Sequence, residues 1–213
     1  MQNDIPTVFV ADDEESVRHS LTWLLKSISV NVQTYPSADA FLDANVSCSY
    51  GCLITDVRMP SMSGLQLQNV LIEKNFRLPI IFLSAYGDAQ MGAQATKRGA
   101  IDFLQKPYRN QDLVDAVNAA LRSSKDLMDK QAEKSKHRDC FESLSQRERE
   151  ILNMVVAGDS SKVIARMLGI SHKTVEAHRA RIMNKLGVKS TIDLIHSIVR
   201  NAGGFNSEEQ QRF

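Results

Sequence analysis

No apolar run of roughly 18 residues occurs in the 213-residue sequence, so no helical membrane span is expected. The opening MQNDIPTVFV lacks the basic start and apolar core of a secretory signal, which makes the cytoplasm the expected location. Cysteine is scarce: Cys48, Cys52 and Cys140 are odd in number and match no metal-ligand spacing. Idle or buried thiols in a reducing compartment account for them, and a redox role has no support. A large net charge is also missing, the total being +1.

That small total hides an asymmetry. Residues 1–124 hold 10 Lys+Arg against 13 Asp+Glu, and residues 125–213 hold 16 against 12. Within 160–200 there are 8 basic and 2 acidic residues. An acidic half joined to a basic half implies two tasks, the second directed at a polyanion. The length suits one large or two small domains, and 43% hydrophobic with 24% charged residues is an ordinary globular composition.

Short apolar runs at Val8–Val10, Val30–Thr34, Cys52–Thr55, Pro79–Leu83 and Ile101–Leu104 alternate with segments of helical spacing. Val17, Leu21, Leu24, Leu25 and Ile28 mark the first helix, and Leu113, Val114, Val117 and Leu121 the fifth, from about Gln111. Ser37 is placed to cap the second. Five strands alternating with five helices predict a parallel sheet covered on both faces, an α/β doubly wound domain over residues 1–124. Residues 125–141 are charged and poor in large apolar groups, reading as a linker or an extension of the fifth helix. Residues 142–213 form the second domain, all-α in pattern, with the tail 203–213 expected to be disordered. Ser145 to Glu148 reads as a capping box, and Gly158, Gly169 and Gly187 as helix ends.

In a doubly wound sheet, ligands gather at the carboxyl ends of the strands. Asp12 and Asp13 follow the first strand, Asp56 ends the third, Ser84 and Ala85 the fourth, and Lys106-Pro107 the fifth. Converging carboxylates repel, so their pocket calls for a cation; hard oxygen ligands suit Mg2+. A carboxylate beside Mg2+ is a nucleophile towards phosphorus, giving an aspartyl phosphate. Lys106 would neutralise one phosphoryl oxygen, Ser84 would hydrogen-bond another, and Ala85 leaves space for the group. Singly, each feature has a blander reading: a loop for the Asp pair, a turn for Lys-Pro.

The segments VFVADDEESVR, LITDVRMPSMSG, IIFLSA and AIDFLQKPY resemble the receiver domain of two-component response regulators, over about residues 7–124. The resemblance implies a flavodoxin-like (βα)5 fold with Asp56 as phosphoacceptor for a sensor histidine kinase. It implies direct Mg2+ ligation by Asp13, Asp56 and the Arg58 backbone carbonyl, with Asp12 acting through water. Ser84 and Phe103 match switch positions, and Lys106-Pro107 matches a pair whose peptide is usually cis, aiming Lys106 into the pocket. Thr55 departs mildly, with a hydroxyl where an aliphatic residue is commoner.

Residues 162–188 read as two helices joined by a Gly-containing turn, a helix-turn-helix. Val175, Ile182 and Leu186 form its inward stripe. The opposite face carries Lys173, Thr174, Glu176, Ala177, Ala180, Arg181 and Asn184, where small residues permit close approach to base edges. A solvated face of a plain helical hairpin is the competing reading. His178 has no ligand partner at metal spacing and is expected to be packed or phosphate-facing. The stretch LSQREREILNMVVAGDSSKVIARMLGISHKTVEAHRARIMNKLGV resembles the LuxR-type helix-turn-helix of the NarL/FixJ response regulators, the FixJ branch above all through Phe103, Tyr86-Gly87-Asp88 and the KPY ending. The resemblance implies that the His172–Leu186 helix enters the major groove of double-stranded DNA. Lys162, Ser171, Lys173, Thr174, Arg179 and Lys185 would meet phosphates, and Glu176, Ala177, Ala180 and Arg181 would face bases.

The resulting expectation is a phosphorylation-controlled transcription regulator. Phosphorylated, it would form a homodimer through the fourth helix, fifth strand and fifth helix, with RNA polymerase among its candidate partners. Ile195, Ile198 and Val199 of the last helix would either add a dimer contact or pack on their own domain. An Mg2+-dependent phosphohydrolase would need a cap domain that the sequence lacks, so no turnover of an external substrate is expected. A DNA-binding protein with a merely constitutive dimerising receiver is the third alternative.

Overall fold

The computed structural model describes residues 5–46, 50–85, 89–190 and 192–194. The expectations on Cys48, on Tyr86-Gly87-Asp88, on Ile195, Ile198 and Val199 and on the tail lie outside these residues. Two compact units meet between Lys130 and Gln131.

The first unit is a five-stranded parallel sheet ordered β2-β1-β3-β4-β5. Its strands are β1 (Thr7–Ala11), β2 (Asn31–Tyr35), β3 (Gly51–Asp56), β4 (Ile80–Ser84) and β5 (Asp102–Gln105). Between them run α1 (Glu15–Lys26), α2 (Ala38–Asp43), α3 (Gly64–Glu73) and α4 (Ala89–Lys97), and α5 (Asn110–Glu142) follows β5. Because side chains alternate along a strand, neighbouring positions serve opposite cores. Phe9, Leu53, Ile80 and Phe82 pack with Phe41, Leu67 and Ala95 on one face. Val8, Val10, Cys52, Ile54, Ile81 and Leu83 pack with Leu21, Leu25, Leu113 and Val117 on the other. Covered twice, β3 and β4 are buried at every residue, which explains their unbroken apolar runs. Cys52 serves there as a small buried apolar side chain.

The fifth helix runs 33 residues, through the whole of 125–141. Ser124 lies 3% exposed, and its hydroxyl accepts a hydrogen bond from the Gly51 amide at 2.9 Å, fixing the helix to the start of β3. Thereafter the helix is mostly exposed, so the lack of large apolar residues reflects solvation rather than loss of helical structure.

The second unit contains α6 (Gln146–Val156), α7 (Ser161–Leu168) and α8 (His172–Leu186). Ile151, Leu152, Val155, Ile164, Val175, Ile182, Leu186 and Leu194 form its core. Ser160, Ser171 and Ser145 cap the three helices, and Gly169 and Gly187 end two of them at φ 65° and 66°. The Ser145–Glu148 capping box is complete. Its Glu148 is buried and also receives the Lys185 ammonium at 2.7 Å.

The Lys185 ammonium and the Ser145 amide hold the Glu148 carboxyl at about 2, down from 4.5. A depressed carboxyl pKa contributes stability that is complete above 4.5 and fades as pH falls towards 2. Glu148→Gln is expected to cost the second unit about 1–3 kcal/mol at neutral pH. Urea denaturation at pH 7 and pH 3 should show the wild-type advantage shrinking in acid; an advantage that grows would contradict this role.

Candidate functional site

The pocket forms because every strand is parallel, so all five carboxyl ends open on one edge. Registers align Ala11 with Thr55, Asp56 with Leu83, and Ser84 with Gln105. The residues at or just beyond these ends are Asp12, Asp56, Ser84 and Lys106. Asp12 and Asp56 are only 1% and 7% exposed. The Lys106 ammonium lies between them, donating to Asp12 Oδ2 at 3.0 Å and to Asp56 Oδ1 at 2.8 Å. The remaining oxygens are also held: Asp12 Oδ1 accepts from the Glu14 amide at 2.9 Å, and Asp56 Oδ2 from the Arg58 amide at 2.6 Å.

Burial pushes the Asp12 carboxyl above 3.8, against the pull of Lys106 and the Glu14 amide. Burial lowers the Lys106 ammonium, but hydrogen bonds to Asp56 and Asp12 outweigh it and the net direction is up. Lys106 therefore stays charged, and Asp12 is ionised at a cost that grows as pH rises past 3.8.

Asp13 stands on the exposed rim, and among the described residues no hydrogen bond reaches its carboxylate. Among those residues no three His, Cys, Asp or Glu side chains surround one point. With one ammonium against three carboxylates, the pocket still has surplus negative charge. This donor set fits a hydrated Mg2+ held by one or two carboxylates, and does not fit an all-protein cage.

The backbone of Asp56 is closely confined. The Val57 amide donates to Leu83 O at 2.9 Å and the Gly64 amide to Val57 O at 3.1 Å. A Cβ at Gly64 would collide with the Asp56 carbonyl, so glycine is required there by close approach rather than by φ. Ser63 and Gln66 close a capping box over the same turn. The Thr55 hydroxyl, fully buried, donates to the Asp56 carbonyl at 3.1 Å.

Ser84 is buried and Ala85 exposed at the rim. The Lys106–Pro107 peptide is cis, and the Lys106 amide donates to Ser84 O at 2.7 Å. Phe103 is half-buried, 6.3 Å from the Phe82 ring and against Gly92 of α4, whose missing side chain makes space for it.

On α8, Lys173, Glu176, Ala177, Ala180 and Arg181 are exposed, as is Lys162 on α7. Four of the expected phosphate-contacting residues also have partners within the unit. Lys185 bonds Glu148 and also donates to Ser143 O at 2.9 Å, because the last turn of α8 lies over the start of α6. Arg179 is half-buried and donates to Ser161 Oγ at 2.9 Å. Ser171 accepts from the Thr174 amide at 3.1 Å and pairs with its hydroxyl at 2.8 Å, a cap on the exposed N-terminus of α8. His178 is half-buried, and its Nδ1 has no hydrogen-bond partner among the described residues.

Comparison with known proteins gives two family matches. Residues 8–118 match the response regulator receiver domain, and residues 142–198 the bacterial regulatory proteins of the luxR family. The transcriptional regulatory protein TdiR of Thauera aromatica is 67% identical over 92% of this chain and 86% of its own length. The transcriptional regulatory protein FixJ of Azorhizobium caulinodans is 40% identical over 92% of each chain. The low-resolution structure of the response regulator StyR superposes with a TM-score of 0.81 at 39% identity, over 92% of this chain and 99% of that one.

Removing the Lys106 charge would leave Asp12 and Asp56 facing each other inside the pocket. Lys106→Met is expected to lower stability by about 3 kcal/mol at pH 7. The loss should shrink in acid, where Asp12, already pushed up by burial, can protonate; thermal melts giving the same loss at neutral and acid pH would contradict this.

Proposed function

The chain belongs to the NarL/FixJ family of response regulators, in which a receiver precedes a LuxR-type DNA-binding domain that regulates transcription, and from that premise we propose that it is switched by phosphorylation of Asp56. The observation that carries the reading is the buried Asp12–Lys106–Asp56 arrangement at one edge of the sheet. A cognate sensor histidine kinase presents its phosphohistidine; an Asp56 carboxylate oxygen attacks phosphorus, the P–N bond breaks, and the imidazole leaves with its electron pair. Receiver domains typically use Mg2+ at this step. Asp13, Asp56 and the Arg58 carbonyl would hold it, with Asp12 acting through water. The bound ion supplies positive charge against the phosphoryl oxygens.

This chain's own residues then divide the work. Lys106, already within bonding distance of Asp56, pairs one phosphoryl oxygen. Ser84 moves to another, and Phe103 turns into the vacated space, against α4 where Gly92 offers no side chain to obstruct it. The reshaped face of α4, β5 and α5 pairs with a second copy. Two linked DNA-binding domains then engage two half-sites, with affinity raised by effective concentration. Arg181, Glu176, Ala177 and Ala180 of α8 face the bases, and Lys162 and Lys173 the backbone. The proposal includes no turnover of an external substrate, and RNA polymerase is its downstream partner.

Incubated with Mg2+ and acetyl phosphate, the wild type is expected to gain one phosphoryl group by intact mass and to shift towards dimer in size-exclusion chromatography. Asp56→Asn should do neither; equal gain by that variant would remove the assignment.

Promoter binding should weaken steeply as log salt rises. Lys173→Ala should reduce that slope by about 1, whereas Lys185→Met should destabilise the second unit and leave the slope per folded molecule unchanged. Fluorescence anisotropy across a salt series measures both, and a wild-type slope near zero would refute phosphate contact.

A further inference from the structure

Asp13 poses a problem that the rest of the pocket does not. It is the exposed carboxylate of the set, and no hydrogen bond among the described residues fixes its side chain, yet the proposed function gives it a direct ligand's role. Its direction must come from its backbone. Arg18, one turn into α1, supplies the means. A single guanidinium nitrogen, Nη1, donates to the Asp12 carbonyl at 2.7 Å and to the Asp13 carbonyl at 3.0 Å. Those carbonyls belong to the two peptide planes that flank the Asp13 Cα. Holding both planes fixes φ and ψ at Asp13, and with them the direction of its Cβ.

The same loop is anchored at its other points. The Asp12 amide donates to Tyr35 O of β2 at 3.2 Å. The Glu14 amide donates to Asp12 Oδ1 at 2.9 Å. Arg18 itself is placed by α1: its amide donates to Glu14 O at 3.1 Å, and its carbonyl accepts from Thr22 Oγ1 at 2.7 Å. Its side chain is half-buried.

We propose that Arg18 is a positioning residue for the cation site, clamping the acidic loop so that Asp13 meets Mg2+ without having to be ordered first. The inference rests on the Mg2+ reading given above. It also opposes simple electrostatics, because a guanidinium near two carboxylates should repel a second cation. The two effects have opposite signs. If charge dominates, removing Arg18 tightens Mg2+ binding, and added salt screens the change. If the clamp dominates, removal weakens binding and salt leaves the ratio intact.

The test is isothermal titration of the full chain with MgCl2, in 0.1 M and 0.5 M KCl conditions of the same buffer. Arg18→Met keeps the apolar stem and removes the donors. Loss of an outer partner of a metal ligand typically costs 10–100-fold, and about a 10-fold weaker Kd is expected at both salt levels. A second readout needs no metal: amide hydrogen exchange at Glu14 should quicken in the variant. Wild-type binding accompanied by an unchanged or tighter Kd in Arg18→Met, or by unchanged exchange at Glu14, overturns the Arg18 inference alone. A wild type that binds no Mg2+ overturns the metal reading and this inference with it.

Discussion

The Lys106 ammonium keeps two buried carboxylates from facing each other unopposed, and the working edge of the receiver is organised around that contact. Asp12 and Asp56 leave adjacent strands, β1 and β3, while Lys106 arrives from beyond β5. A parallel sheet brings those three ends to one edge, with helices forming the connections between its strands. The arrangement is short of positive charge by design of its donor set: one cation among Asp12, Asp13 and Asp56. Burial already raises Asp12 against its partners, so the pocket gains from any further cation that can reach it.

Firm and loosely held parts sit side by side around that pocket. The Asp56 backbone is confined by β4, by the Thr55 hydroxyl and by the close approach of Gly64. The α4 neighbour is built differently. Gly92 lies in its interior, a residue that weakens a helix by about 1 kcal/mol relative to alanine. Its buried tie to α3 is long: Gln68 Nε2 reaches Ala95 O at 3.4 Å and Arg98 O at 3.5 Å, while Gln68 Oε1 is buried without a partner among the described residues; the short bond, from Arg98 Nη1 to Asn69 Oδ1 at 2.8 Å, lies on the exposed surface just past the end of α4. Weak hydrogen bonds and an unsatisfied oxygen cost little to rearrange. In the proposed switch, a stationary acceptor beside a movable α4 is the combination that converts a new charge into a changed surface.

Much of this was legible in the sequence, for reasons that can be named. The central strands β3 and β4 announce themselves because double burial demands continuous apolar runs, and Asp56 stands out because it breaks one. The Ser145–Glu148 box and the glycine ends of α7 and α8 are local signals, complete within a few residues. What escaped was long-range or backbone-borne. The Glu148–Lys185 pair joins residues far apart in sequence, so nothing local on α8 announces that Lys185 has a partner in α6. The clamp by Arg18 acts on carbonyl groups, which every residue possesses and no pattern reveals. The full length of α5 stayed open because a solvated helix has no apolar stripe to read.

The same distinction changes how the basic half should be understood. Composition gives residues 160–200 8 basic side chains, as though all were available to a polyanion. Arg179 and Lys185 are engaged within the unit, to Ser161 and to Glu148 with Ser143. Outside that stretch, Arg149 donates to Leu144 O and Glu142 O at 3.1 Å and 3.0 Å, serving the end of α5. Within 160–200, the exposed basic side chains with no partner among the described residues are then Lys173 and Arg181 on α8, Lys162 and Arg166 on α7, and Lys189 beyond α8. Lys173 adjoins the N-terminus of α8, where unpaired amides and the helix dipole already favour an anion. Ser171 satisfies only one of those amides, that of Thr174. A phosphate approaching this end would meet backbone and side-chain attraction together, so a modest number of free cations can orient the helix while Arg149, Arg179 and Lys185 tie its supports in place.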